Sequence, residues 1–204
     1  MDSLGVHGPF PGAAVVDGIV VRIEDDILVE SEVRELENFQ RLLNGRAMSR
    51  DDVIRELIDQ WIIKNEANAA HFLRPSQPAV DTAFEKLVQQ FPSPEIFHTR
   101  LAQAGITESV VRRLLEQQLY LSSFLDFKFR PAAQVTPDQM EAYYREELTP
   151  QLKSGGQAVV PLNDVEEQIR ELLTQRAINQ RTERWLEEAR ARLHIEEMPA
   201  GSTP

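Results

Sequence analysis

The sequence predicts a mainly α-helical fold with a short β-hairpin at its start and one further strand near its end. Three observations carry this. Apolar residues recur at helical spacing between clear start and stop signals through most of the chain. Two short β-branched runs flank an acidic turn near the N-terminus. A last segment, "LHIEE", follows the longest helical stretch. Strands so far apart in sequence are most simply explained if they meet, so the last is expected to pair with the hairpin and close the fold.

The ends frame this core. Residues 1–14 are rich in Gly and Pro and 198–204 are small and polar, so both read as disordered tails around one core over 15–197. In the hairpin, Val20, Val21 and Ile23 favour one strand and Ile27, Leu28 and Val29 the other, with Asp25-Asp26 as the tight turn. Ser31 offers an N-cap to a helix bearing Val33, Leu36, Phe39, Leu42 and Leu43, stopped at Asn44-Gly45.

Ser49 and Asp52 resemble a capping box. The helix behind them carries Val53, Leu57, Ile58, Trp61, Ile62 and Ile63 and is expected to reach about Leu73, where Arg74-Pro75 ends it. Pro78 suits the first turn of the next helix, which presents Val80, Phe84, Leu87, Val88 and Phe91. Ser93-Pro94-Glu95 starts a short helix closed by Gly105, and Thr107 caps one from Glu108 to about Arg130. Thr136-Pro137-Asp138-Gln139 supplies N-cap, N1 proline and N3 glutamine for a helix to about Leu148, with Pro150 near its end.

The segment "KSGGQAVVP", Lys153 to Pro161, interrupts this pattern with two glycines and no aromatic residue. After it, Asn163 with Glu166 makes a capping signal, and residues 164–193 contain neither Pro nor Gly. One helix of that length spans roughly 45 Å at 1.5 Å per residue. Its apolar face rotates: Val165, Ile169, Leu172 and Leu173 share one side, while Ile178, Trp185, Leu186, Ala189 and Leu193 share a side about 140° away. Its two halves are therefore expected to pack on different partners.

Composition narrows the function classes. Apolar residues make up 42% of 204, enough for a core. The net charge of −11 disfavours nucleic acid as the main partner, because phosphate affinity rests on Lys and Arg. The acid is uneven: residues 1–60 hold thirteen Asp and Glu against six arginines, whereas 164–193 is nearly balanced. There is no cysteine, so disulfides, thiolate nucleophiles and cysteine metal sites are excluded. No apolar run approaches the roughly 18 residues of a membrane span, so stable membrane insertion is not expected. Residues 1–12 lack the basic start and apolar core of a secretory signal peptide.

Catalytic and ligand motifs are sparse. His7, His71, His98 and His194 form no i,i+4 pair, and HExxH, GxGxxG, Walker A and GxSxG patterns do not occur. "EDD" at Glu24 to Asp26 lacks the further spaced oxygens of a divalent-ion site and reads as a solvated turn. No cofactor or metal is expected. "LYLSSFLDFKF", Leu119 to Phe129, is different because it is apolar nearly all round. Either it is a central helix buried on several sides, or part of it lines a groove that accepts apolar peptide; both can hold together.

The order of segments resembles the SurA family of periplasmic chaperones. "VVDGIVVRIEDDILVESEV" resembles that family's opening hairpin and first helix, and "DDVIRELIDQWIIKNEA" its second helix. "IFHTRLAQAGITESVVRRLLEQQL" resembles its stretch in which a Leu, a Gly and a following helix with Arg and Gln or Glu recur, and "TPDQMEAYYREEL" the segment that usually leads into its isomerase domain. "DVEEQIRELLTQRAINQRTERWLEEARARLHIEE" resembles the helix and strand that return to the N-terminal part. Typical members carry one or two parvulin-type prolyl isomerase domains between the last two segments; here only Thr149 to Leu162, fourteen residues, fill that place as a short loop.

The resemblance implies a periplasmic, ATP-independent holdase that binds unfolded outer-membrane proteins and lacks isomerase activity. In this reading Tyr120, Phe124, Phe127 and Phe129 contact the client, and excess acid discourages self-association. Two other readings stand beside it. One is a prolyl isomerase relative by descent. The other is an assembly module that binds one fixed partner or itself as a homodimer.

Overall fold

The computed structural model describes residues 17–46 and 48–198. Of the tails expected at 1–14 and 198–204, residues 1–14 and 199–204 lie outside the described residues, as does His7. Met198 is tied to the first strand instead: its N–H donates to the Val20 carbonyl at 2.8 Å.

Strands β1 (Ile19–Ile23) and β2 (Asp26–Val29) form the hairpin, and β3 (Ile195–Glu197) pairs antiparallel with the other edge of β1, giving the order β2-β1-β3. The expected union of the chain's two ends is therefore present. The turn sits one residue earlier than Asp25-Asp26. Ile23 pairs with Asp26, leaving Glu24 and Asp25 as the two loop residues, with Glu24 in the left-handed region at φ 50°. The far strand holds that residue: the Glu24 N–H donates to the His194 carbonyl (3.0 Å), and its carboxylate accepts the His194 N–H (2.8 Å). A register shift between Ile19 and Val21 marks a bulge, which explains why the neighbours Val20 and Val21 are both buried.

Helix α1 (Glu30–Asn44) begins one residue before the Ser31 cap expected from sequence. Ser31 lies in the first turn, and Asp17 acts from outside the helix, accepting the Ser31 N–H at 3.0 Å as well as its hydroxyl. A carboxylate at this end also meets the positive pole of the helix. Gly45, at φ 72°, ends α1 by donating its N–H to the Arg41 carbonyl.

Helix α2 (Arg50–Ala69) starts at the expected cap, where Ser49 Oγ accepts the Asp52 N–H. It ends four residues before Leu73. His71 takes φ 52°, and the Phe72 N–H returns to the Ala67 carbonyl at 2.9 Å, a Schellman-type stop. This stop turns Phe72 back onto the core. Helices α3 (Gln77–Val88), α4 (Pro94–Ala104) and α5 (Glu108–Phe129) follow at the expected signals. Helix α1 packs on α2 and α4, and α5 packs on both α2 and α3.

The next segment departs from expectation. Helix α6 (Pro137–Tyr143) continues through a π turn (Tyr144–Leu148) directly into α7 (Thr149–Ser154). The Thr149 N–H reaches back five residues to the Tyr144 carbonyl. The widened turn lets the helix pass Pro150, which has no N–H to give and whose ring crowds a regular preceding turn. The loop expected over Thr149 to Leu162 thus shrinks to Gly155–Pro161, and Lys153 and Ser154 are helical. Tyr144 anchors the loop by donating its hydroxyl to the Val160 carbonyl at 2.7 Å.

Helix α8 (Leu162–Arg192) starts after Pro161, so Asn163 is inside it and the Asn163–Glu166 cap does not form. Glu166 instead accepts from Arg170 at 2.6 Å. The rotating face does what its geometry requires. The first half joins Met140, Tyr143 and Ile169 in a small cluster with α6. The second half sends Leu186 and Ala189 into the main core with α2 and α5. Leu172, assigned to the first face, stays 40% exposed.

Candidate functional site

The apolar run on α5 divides between core and surface. Tyr120 and Phe124 are 1% and 2% exposed. The Tyr120 hydroxyl donates to Asn68 Oδ1 at 3.1 Å, and the Arg74 guanidinium lies 4.5 Å from its ring centroid. Phe124 meets Phe72 edge-on at 5.5 Å. Both side chains are core, which corrects their assignment as client contacts. The helix is enclosed by α2, α3 and α8, so its inward positions have no route to solvent.

Phe127 and Phe129 point elsewhere. Phe127 is 63% exposed and rests on Phe72, with centroids 5.4 Å apart. Leu73, next to Phe72, is 85% exposed. The stop at His71 thus presents Leu73 outside while Phe72 supports Phe127 from beneath. Phe129 is half-buried and meets Trp185 edge-on at 5.8 Å. Lys128 joins the elements: its ammonium donates to Glu66 at 2.9 Å and lies 5.0 Å from the Trp185 ring. Such a cation over an indole adds attraction without removing the charge from water.

Beside this junction α2 and α8 leave an apolar cleft of about 350 Å³, with Trp61, Ile62 and Ala69 on one wall and Trp185, Ala189 and Leu193 on the other. The Trp61 indole N–H donates to Asp26 Oδ2 at 3.0 Å, fixing the ring against the hairpin. Asp59 on α2 pairs with Arg190 on α8, although burial pushes its carboxyl above the ordinary range. Burial also raises Glu56, one turn away. The Asp59–Arg190 pair ties α8 to α2, while Glu56 accepts from Gln60 within α2.

A second cleft, of about 610 Å³, lies between α5 and α8. Its floor is Leu125 and Ile178, and its walls are polar, including Ser122, Ser123, Gln175 and Asn179. Arg130 spans the two helices, donating to both Asp126 oxygens at 2.9 Å and to Glu171 at 2.9 and 3.0 Å. The guanidinium holds the Glu171 carboxyl down at about 2.

The sequence singled out Phe127 and Phe129 but missed Phe72 and Leu73. Their signal was two large apolar residues directly before Arg74-Pro75, where the helix could not continue. Trp61, Trp185 and Leu193 stood on the correct helix faces, but their shared cleft needed the tertiary arrangement. The acids of "EDD" have local partners: Glu24 accepts from His194 and Asp26 from Trp61. Among the described residues no group of three or more His, Asp or Glu gathers to hold a metal, and no helix is long and apolar enough to cross a membrane. Comparison with known proteins finds no family model that matches the chain and no curated protein that matches it.

Proposed function

We propose that this protein is an ATP-independent holdase chaperone of the SurA kind, acting in the periplasm on unfolded polypeptides such as outer-membrane proteins. The observation that carries the reading is the exposed apolar surface at Leu73 and Phe127, propped on Phe72 beside the cleft between Trp61 and Trp185. Large apolar side chains held out in this way mark interaction surfaces. Unfolded β-barrel segments carry aromatic and aliphatic residues at every second position, which suits a ridge flanked by a cleft. The segment order that resembles the SurA family adds support, as does the return of β3 to the hairpin.

The revised binding set is Leu73, Phe72, Phe127, Phe129, Trp61 and Trp185, with Tyr120 and Phe124 as scaffold. The connection from α7 to α8 is only Gly155–Pro161, where SurA relatives carry their isomerase domains, so prolyl isomerase activity forms no part of the proposal. The test is gel filtration of a urea-unfolded outer-membrane protein diluted into this chain. Co-elution that competes with unlabelled client supports the reading. Client that aggregates alone, with the chain eluting as a fixed dimer, supports a self-assembling module instead.

A further inference from the structure

We infer that the cleft between α5 and α8 reads the main chain of an extended polypeptide, separately from the aromatic surface that takes its side chains. The inference rests on the holdase reading and deepens it. Gln175, Asn179 and Glu183 lie four residues apart along α8 and all line the cleft. Four residues of α-helix rise about 6 Å, and two residues of extended chain rise about 6.6 Å. Over three rungs the two repeats drift apart by only about 1 Å, within the reach of flexible side chains.

The chemistry of the rungs fits a peptide backbone. A carboxamide holds its N–H donors and its carbonyl acceptor in one plane, so one edge can meet a backbone C=O and N–H together. Asn179 is exposed and makes no side-chain hydrogen bond among the described residues. Gln175 gives its amide N–H to Glu171 at 2.9 Å, which leaves its carbonyl oxygen as an acceptor. Glu183 adds acceptors only. Across the cleft, Ser123 presents a hydroxyl, while Ser122 gives its proton to the Leu119 carbonyl at 3.2 Å and keeps an acceptor. Beneath, Ile178 is buried and Leu125 half-buried, so alternate side chains of a bound strand rest on an apolar floor. Recognition of this kind is indifferent to sequence, as a holdase with many clients requires.

The test compares two fluorescent peptides of alternating Phe and Ser, identical except that one is N-methylated at every second amide. Anisotropy is read with the full chain and with Asn179→Ala, whose unchanged thermal melt shows that the exposed substitution leaves the fold intact. The wild-type chain is expected to bind the N-methylated peptide about tenfold more weakly, and Asn179→Ala to narrow that difference to about threefold, because Gln175 and Glu183 still accept N–H groups. Equal binding of both peptides by the wild type overturns main-chain reading while leaving the holdase proposal standing. Full discrimination retained by Asn179→Ala overturns its assignment to this cleft. Binding of neither peptide overturns both proposals.

Discussion

Phe127 lies with its ring 5.4 Å from that of Phe72 and still leaves 63% of its surface open to water. Phe124, three residues earlier, touches the same ring and is 2% exposed. One residue beyond the left-handed stop at His71 thus supports both a core contact and a surface ridge.

Phe127→Ser and Phe124→Ser are expected to separate these roles. Phe127→Ser loses client binding by about tenfold or more with a melt close to wild type, since an exposed ring adds little to the core. Phe124→Ser costs about 3–5 kcal/mol and a large part of the folded population. Urea midpoints together with client anisotropy check both. A Phe127→Ser protein that unfolds as readily as Phe124→Ser would place Phe127 in the core.

The two halves of α8 are expected to respond independently. Leu186→Ala removes a buried side chain from the main cluster and costs about 2–4 kcal/mol throughout. Ile169→Ala empties the small cluster with Met140 and Tyr143, and its effect concentrates in α6 and the first half of α8. Hydrogen exchange distinguishes them: Ile169→Ala speeds exchange in 137–175 while Val21 and Ile23 stay protected.

Burial raises the Glu56 carboxyl above its ordinary value of 4.5. Between 4.5 and that raised value the folded state holds a proton that the unfolded state has released, so stability falls as pH rises through the window. Glu56→Gln keeps an acceptor for Gln60 and removes the buried charge. The variant is expected to be more stable than the wild type at neutral pH and to differ little from it at pH 4. Urea midpoints across this range check it.

A protease-coupled assay with a proline-containing peptide is expected to show no acceleration of cis-to-trans conversion. Clear, dose-dependent catalysis would contradict the reading of the α7–α8 connection.

Much of the fold was legible because helix ends are local chemistry. Ser49, Ser93, Thr107 and Thr136 all cap where their spacing says they should. The rotation of apolar positions along α8 foretold its two partners. The misses arose where distant residues intervene. Asp17 displaces Ser31 as the cap of α1, and the π turn lets a helix pass Pro150. The candidate site was half legible for the same reason. The run from Leu119 to Phe129 announced its importance, but only the packing of α2, α3 and α8 decides which rings face water.

The most direct test of the holdase reading is light scattering from an unfolded outer-membrane protein diluted with and without this chain, at equimolar ratio and at several-fold excess. Aggregation is expected to be delayed in a way that saturates with dose, and the delay to be lost in a Leu73→Ser, Phe127→Ser double variant. Unaltered aggregation at several-fold excess would contradict it.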